Sequence, residues 1–157
     1  MKLSAIAVVA VVAAFAAGLA AYPTVMAQAP SRRVILPKKF PYMNLPYSPG
    51  ILAGDTLYLA GQLGRDPATS TLVPGGIEAE TRQTLVNIRE VLREAGMDYR
   101  DVVSVTAYIV DFKEFEAYNK VYREFFPKDP PARATVGVSA LNQGGRVELQ
   151  MIAVRSK

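Results

Sequence analysis

Pro130-Pro131-Ala132-Arg133-Ala134-Thr135-Val136-Gly137-Val138 and Arg146-Val147-Glu148-Leu149-Gln150-Met151-Ile152-Ala153-Val154 are two apolar runs that each carry an isolated charge. Both read as β-strands, and side chains alternate faces along a strand. Arg133 and Thr135 therefore share one face, and Ala134, Val136 and Val138 share the other. In the second run Glu148 and Gln150 oppose Val147, Leu149 and Met151. The apolar faces are expected to pack on helices, leaving Arg133 and Glu148 together on the opposite face. A buried charge costs several kcal/mol unless it is paired, so its presence needs a reason. A small acidic ligand held by Arg133 beside Glu148 is one reason, and a cross-strand ion pair is the other.

Upstream of these strands the periodicity changes. Val102 to Val110 is nearly continuous apolar and β-branched sequence, predicting a central strand covered on both faces. Asp111-Phe112-Lys113-Glu114 has the form of a capping box, opening a helix that runs to about Phe126 and stops at Pro127. Phe112, Phe115, Tyr118, Tyr122 and Phe125 give that helix an aromatic stripe, read as core. Ile77, Thr81, Leu85, Ile88, Leu92 and Ala95 recur at three and four residues and predict an earlier helix, with Gly96 as its C-cap. Before it, Ile51 to Ala53 and Thr56 to Leu63 read as a hairpin turned at Gly54-Asp55. Gly61 near its end suggests a bulge or a close backbone approach. Gly64 to Gly76 reads as a loop, and Asn142 to Gly145 as the turn between the last two strands. Two amphipathic helices cover one face of a mixed sheet. The other face needs a partner, and a homo-oligomer with sites between subunits supplies one.

The 157 residues contain neither histidine nor cysteine. The commonest general base, the commonest metal ligand and all thiol chemistry are therefore excluded, and with them a serine triad and cysteine-based zinc sites. No metal site is expected: Asp98, Asp101 and Asp111 are dispersed and read as turn and cap residues. The net charge of +4 is mild and scattered, without the arginine and aromatic stripe of a nucleic-acid binder. Lys2, the apolar run Leu3 to Ala21 and Val25-Met26-Ala27 have the layout of a secretory signal peptide over residues 1–27. Periplasmic or secreted localisation follows as an expectation, with membrane contact only through that segment if it stays uncleaved. Residues 28–44 read as a leader with one short strand at Arg33 to Leu36, and residues 45–157 as the folded domain.

Leu45-Pro46-Tyr47-Ser48, Leu59-Ala60-Gly61-Gln62, Leu92-Arg93-Glu94-Ala95-Gly96, Tyr118-Asn119-Lys120-Val121-Tyr122, Pro131-Ala132-Arg133 and Val147-Glu148-Leu149 stand in this order along the chain. In order and spacing they resemble the RidA/YjgF family of reactive-intermediate (enamine/imine) deaminases. The resemblance covers roughly Arg33 to Arg155. It implies a chorismate-mutase-like α+β protomer, with a six-stranded mixed sheet and two helices on one face, assembled as a homotrimer with clefts between subunits. It also implies cofactor-free hydrolysis of 2-imino acids to 2-keto acids and ammonia. By the same resemblance Arg133 grips the substrate carboxylate, Glu148 orients or activates water, and Tyr47 lines the cleft. Gly61, Asn119, Ala60 and Thr135 fall at substrate-binding positions. This chain departs from the family at Ala60, often serine there, and at Thr135, often cysteine. The alternatives are a non-catalytic module of the same fold that binds a small carboxylate, and an interaction protein in which Arg133 and Glu148 form only an ion pair.

Overall fold

The computed structural model describes residues 31–40 and 45–156. The signal-peptide expectation for residues 1–27 lies outside the described residues. Among those described, seven strands form one mixed sheet. β1 (Arg32–Ile35), β2 (Gly50–Ala53), β3 (Thr56–Leu59) and β7 (Val147–Val154) pair antiparallel in succession. β7 pairs antiparallel with β5 (Val102–Ile109), and β5 pairs parallel with β6 (Ala132–Gly137), which ends the sheet. The short β4 (Gln62–Leu63) pairs with β7 beyond the end of β3. The sheet therefore has one strand more than the six expected, because the anticipated strand Thr56 to Leu63 is broken. Tyr58 faces Ile152 and Gln62 faces Leu149, an advance of four residues on one strand against three on the other. That is a β-bulge at Ala60-Gly61, the device that re-aims a strand near a site.

Two helices, α1 (Gly76–Glu94) and α2 (Phe115–Phe125), cover one face of the sheet. Leu85, Ile88, Val91 and Leu92 of α1 and Tyr118 and Tyr122 of α2 form one core with Leu57, Leu59, Val105, Ile109, Leu149 and Met151 of the strands. Asp111 opens the turn before α2, its Oδ1 accepting from the Lys113 amide at 2.9 Å. The Glu114 side chain turns to Arg146 instead of closing the expected box. The second face of the sheet is open: Tyr58, Val136 and Val154 are exposed on it. β5 alternates between core and this open face, so it is covered on one side within the protomer, not on both as its β-branched run suggested.

β6 presents the reverse of the expected face. Arg133 registers with Val105 and Thr135 with Ala107, and both partners are buried in the core, so Arg133 and Thr135 point toward the helices. Ala134 and Val136 register with Thr106 and Tyr108 and lie on the open side. β6 is an edge strand. Its core-side residues meet the rim of α2, where a long polar side chain finds partners without being sealed in.

Gly64, just after β4, is packed against the backbone of α1. A Cβ there would stand 2.6 Å from Glu80 Cα and 2.5 Å from its carbonyl oxygen. Helix backbone cannot move aside as a flexible side chain can. Gly64→Ala is therefore expected to cost about 1–3 kcal/mol by overpacking. A lowered denaturation midpoint by circular dichroism checks this, and an unshifted midpoint would mean that the loop relaxes freely.

Candidate functional site

The bulge after β3 places Gly61 directly beneath the Glu148 side chain. A Cβ on residue 61 would run into Glu148 Oε1 and lie 2.9 Å from Cδ, so only glycine leaves the carboxylate where it is. Glu148 lies between the fully buried Val147 and Leu149, which fixes its direction onto the open face of the sheet. There Gly61, Tyr108, Leu141, Glu148 and Gln150 line a shallow depression of about 280 Å³. None of these lining residues is a cation. An ionised carboxylate at such a place is a competent acceptor for a water proton, with no histidine in the chain to compete for the role.

Arg133 is held at the opposite side of the sheet by α2. Its Nη2 donates to Asn119 Oδ1 at 2.8 Å and its Nη1 to the Tyr118 hydroxyl at 3.3 Å. The guanidinium carbon lies 4.5 Å from the Tyr122 ring centre, 5.1 Å from that of Tyr118 and 5.9 Å from that of Phe115. Cation–π contacts of this kind are worth about 0.5–2 kcal/mol each. Burial pushes the Tyr118 phenol up to about 12, against the opposing pull of the Arg133 charge and hydrogen bond. Burial raises Tyr122 further. Both phenols therefore stay protonated at neutral pH and leave the guanidinium charge uncancelled. With its ring contacts and two donors engaged, Arg133 is preorganised to offer its remaining N–H groups to an acceptor, in the fork that suits a carboxylate.

The site residues expected from sequence thus form two groups. Arg133, Thr135 and the buried Asn119 lie together on the α2 side of β6. Glu148, Gly61 and Ala60 lie together at the bulge, with Tyr47 beside Gly61 on a cavity of about 90 Å³. Tyr47 is half exposed, and the Ala60 amide donates to Pro49 O at 2.9 Å. Within one protomer Arg133 and Glu148 point to opposite faces, which corrects the expectation that they share one. They form no ion pair, so the cross-strand pairing also fails. Tyr118 and Tyr122 were read only as core, yet they cradle Arg133. Their i,i+4 spacing was visible in sequence, but the strand that would lie against them was not. Among the described residues no cluster of carboxylates is grouped to hold a metal ion.

The family model described as Endoribonuclease L-PSP, the YjgF/RidA family, matches residues 38–155. The chain belongs to that family. A goat protein named 2-iminobutanoate/2-iminopropanoate deaminase is 47% identical over 124 residues, covering 79% of this chain and 90% of its own. The human protein of the same name is 40% identical over the same shares. Among solved structures, RidA from the Antarctic bacterium Psychrobacter sp. PAMC 21119 superposes with a TM-score of 0.74 at 35% identity, covering 78% of this chain and 99% of that one. These relatives overturn the periplasmic or secreted placement. The family match begins at residue 38, past the apolar segment that alone suggested export, and the mammalian deaminases lend export no support. That placement is withdrawn.

Proposed function

We propose that this protein hydrolyses reactive 2-imino acids, the tautomers of 2-enamino acids, to 2-keto acids and ammonia. Its sites would be completed between protomers of a chorismate-mutase-like homotrimer, with Arg133 from one protomer and Glu148 from the next. The observation that carries this reading is the Glu148 carboxylate set over Gly61 in a depression whose lining has no cation. A carboxylate substrate seated there needs a positive partner from elsewhere, and Arg133 stands preorganised on the rim of the opposite face. An edge strand docking on the open face of another copy is a heterologous contact, and such contacts close into a ring where the rotation between copies allows it. The same docking would cover exposed Tyr58, Val136 and Val154.

In this arrangement Arg133 holds the C1 carboxylate of the substrate. Glu148 accepts a proton from water as its oxygen adds to C2. That proton passes to the nitrogen and gives a carbinolamine. The C2 hydroxyl then yields its own proton through Glu148 to the nitrogen as the C2–N bond breaks, so ammonia leaves with C2 as a carbonyl. No electrons are transferred, so the step balances with water alone. Thr135 and Asn119 would flank the carboxylate end, and Tyr47 and Ala60 the Gly61 end. Positioning and fixed charge supply the acceleration. The endoribonuclease of the family description finds less support here. Lys39, Arg82, Arg89, Lys120 and Arg146 are drawn into ion pairs with Glu90, Glu124, Asp98, Glu78 and Glu80, which offsets part of the positive charge that phosphates would require.

The test is a coupled assay in which an amino-acid oxidase generates 2-iminopropanoate or 2-iminobutanoate and semicarbazide traps what remains. Faster keto-acid release with the protein is the expected result. No acceleration, together with measurable binding of 2-ketobutyrate, would replace the enzyme with a carboxylate-binding module.

A further inference from the structure

The depression over Glu148 adjoins a second space. Gly61 lines both, and beyond it the cavity of about 90 Å³ is bounded by Tyr47, Gln62, Arg65, Asp66 and Asn87. We infer that this cavity is the subsite for the substrate side chain, and that Arg65 adapts it to imino acids carrying a second, distal carboxylate. The inference rests on the deaminase reading and names its substrate class.

The backbone around Arg65 is fixed at several points. Its amide donates to Leu63 O at 2.8 Å, and its carbonyl accepts from Asn87 Nδ2 at 2.8 Å. Arg65 bridges Leu72 across the loop, and Gly64 O accepts from the Val73 amide at 2.9 Å. Gly64 is itself seated against Glu80. The base of the arginine is therefore rigid. Its Nε is buried without an acceptor, as that of Arg89 is, but Arg65 has no carboxylate partner among the described residues, whereas Arg82, Arg89 and Arg146 each have one. An arginine on a cavity wall with no carboxylate partner among the described residues can offer its planar fork to the anion of a ligand.

Two polar groups on the cavity, Asp66 and Asn87, are engaged elsewhere. Asp66 turns Oδ1 back on its own loop, accepting from the Ala68 amide at 2.7 Å and the Thr69 amide at 3.4 Å. No ion pair joins it to Arg65 among the described residues. Asn87 spends Nδ2 on the Leu63 and Arg65 carbonyls, and its Oδ1 accepts from Gln83. A substrate with C2 over Glu148 sends its side chain past Gly61 toward Arg65, where a distal carboxylate meets an arginine already fixed in place.

The experiment compares kcat/KM for 2-iminoglutarate with that for 2-iminobutanoate, in the full chain and in Arg65→Leu and Arg65→Lys. Arg65→Leu is expected to lower the glutarate-to-butanoate ratio about tenfold or more, the loss of one charge-assisted contact. Arg65→Lys is expected to recover part of it. A ratio unchanged in Arg65→Leu, with 2-iminobutanoate still turned over, overturns the subsite and leaves the deaminase reading standing. Turnover of neither substrate by the unaltered protein removes both.

Discussion

Two inactive variants, Arg133→Ala and Glu148→Gln, are expected to regain turnover when co-expressed or refolded together. Alone, Glu148→Gln is expected to lose about 10²–10⁴-fold in kcat, the range for a missing general base. Arg133→Ala is expected to lose on the order of 10²-fold in kcat/KM with its carboxylate clamp. The two groups face opposite sides of one sheet, so in the proposed arrangement each site would draw them from different protomers. In a cyclic trimer any ring containing both variants has a single intact site. Random mixing leaves roughly a quarter of all sites intact. Recovery near that level supports both the inter-subunit site and the ring. Mixed trimers without activity would place Arg133 and Glu148 in one protomer's site and overturn the arrangement. Circular dichroism of Arg133→Ala guards the result, because the variant leaves Asn119 Oδ1 and the Tyr118 hydroxyl without their partner.

The faces of β6 show where sequence reading stopped. Period-two alternation correctly separated Arg133 and Thr135 from Ala134 and Val136. It carried no information about which set the helices cover. Small apolar residues looked like core, but the parallel register with β5 aligns Arg133 with buried Val105 and turns those residues outward. For β7 the same reasoning succeeded, because four buried residues, Val147, Leu149, Met151 and Ala153, outweigh any alternative. The helices were legible from their spacing: α1 lies within a residue of its expected ends, and α2 ends within a residue of Phe126 but begins at Phe115, after a 3-10 turn over Phe112–Glu114. Gly61 was legible as a bulge signal. Its target, the Glu148 carboxylate, depends on a strand pairing across almost ninety residues and could not be read locally. Arg65 was passed over as part of a loop, since nothing in Gly64-Arg65-Asp66 announces that its Nε is buried.

Gly61→Ala is expected to abolish most turnover, about 10²-fold or more if Glu148 acts as general base, while leaving fold and assembly intact. The reason lies in what a Cβ would meet. At Gly64 it meets helix backbone, and stability is lost. At Gly61 it meets the end of a flexible glutamate, which swings away without disturbing the strands. The same substitution three residues apart should therefore give opposite signatures, one in the denaturation midpoint and the other in kcat. A double-mutant cycle isolates the cause. If Gly61 matters because it lets the carboxylate lie over it, Gly61→Ala should have almost no further effect once Glu148 is glutamine. Independent, multiplicative losses would show that Gly61 serves the substrate by some route other than Glu148. The open-face depression would then lose the feature that marks it as a site.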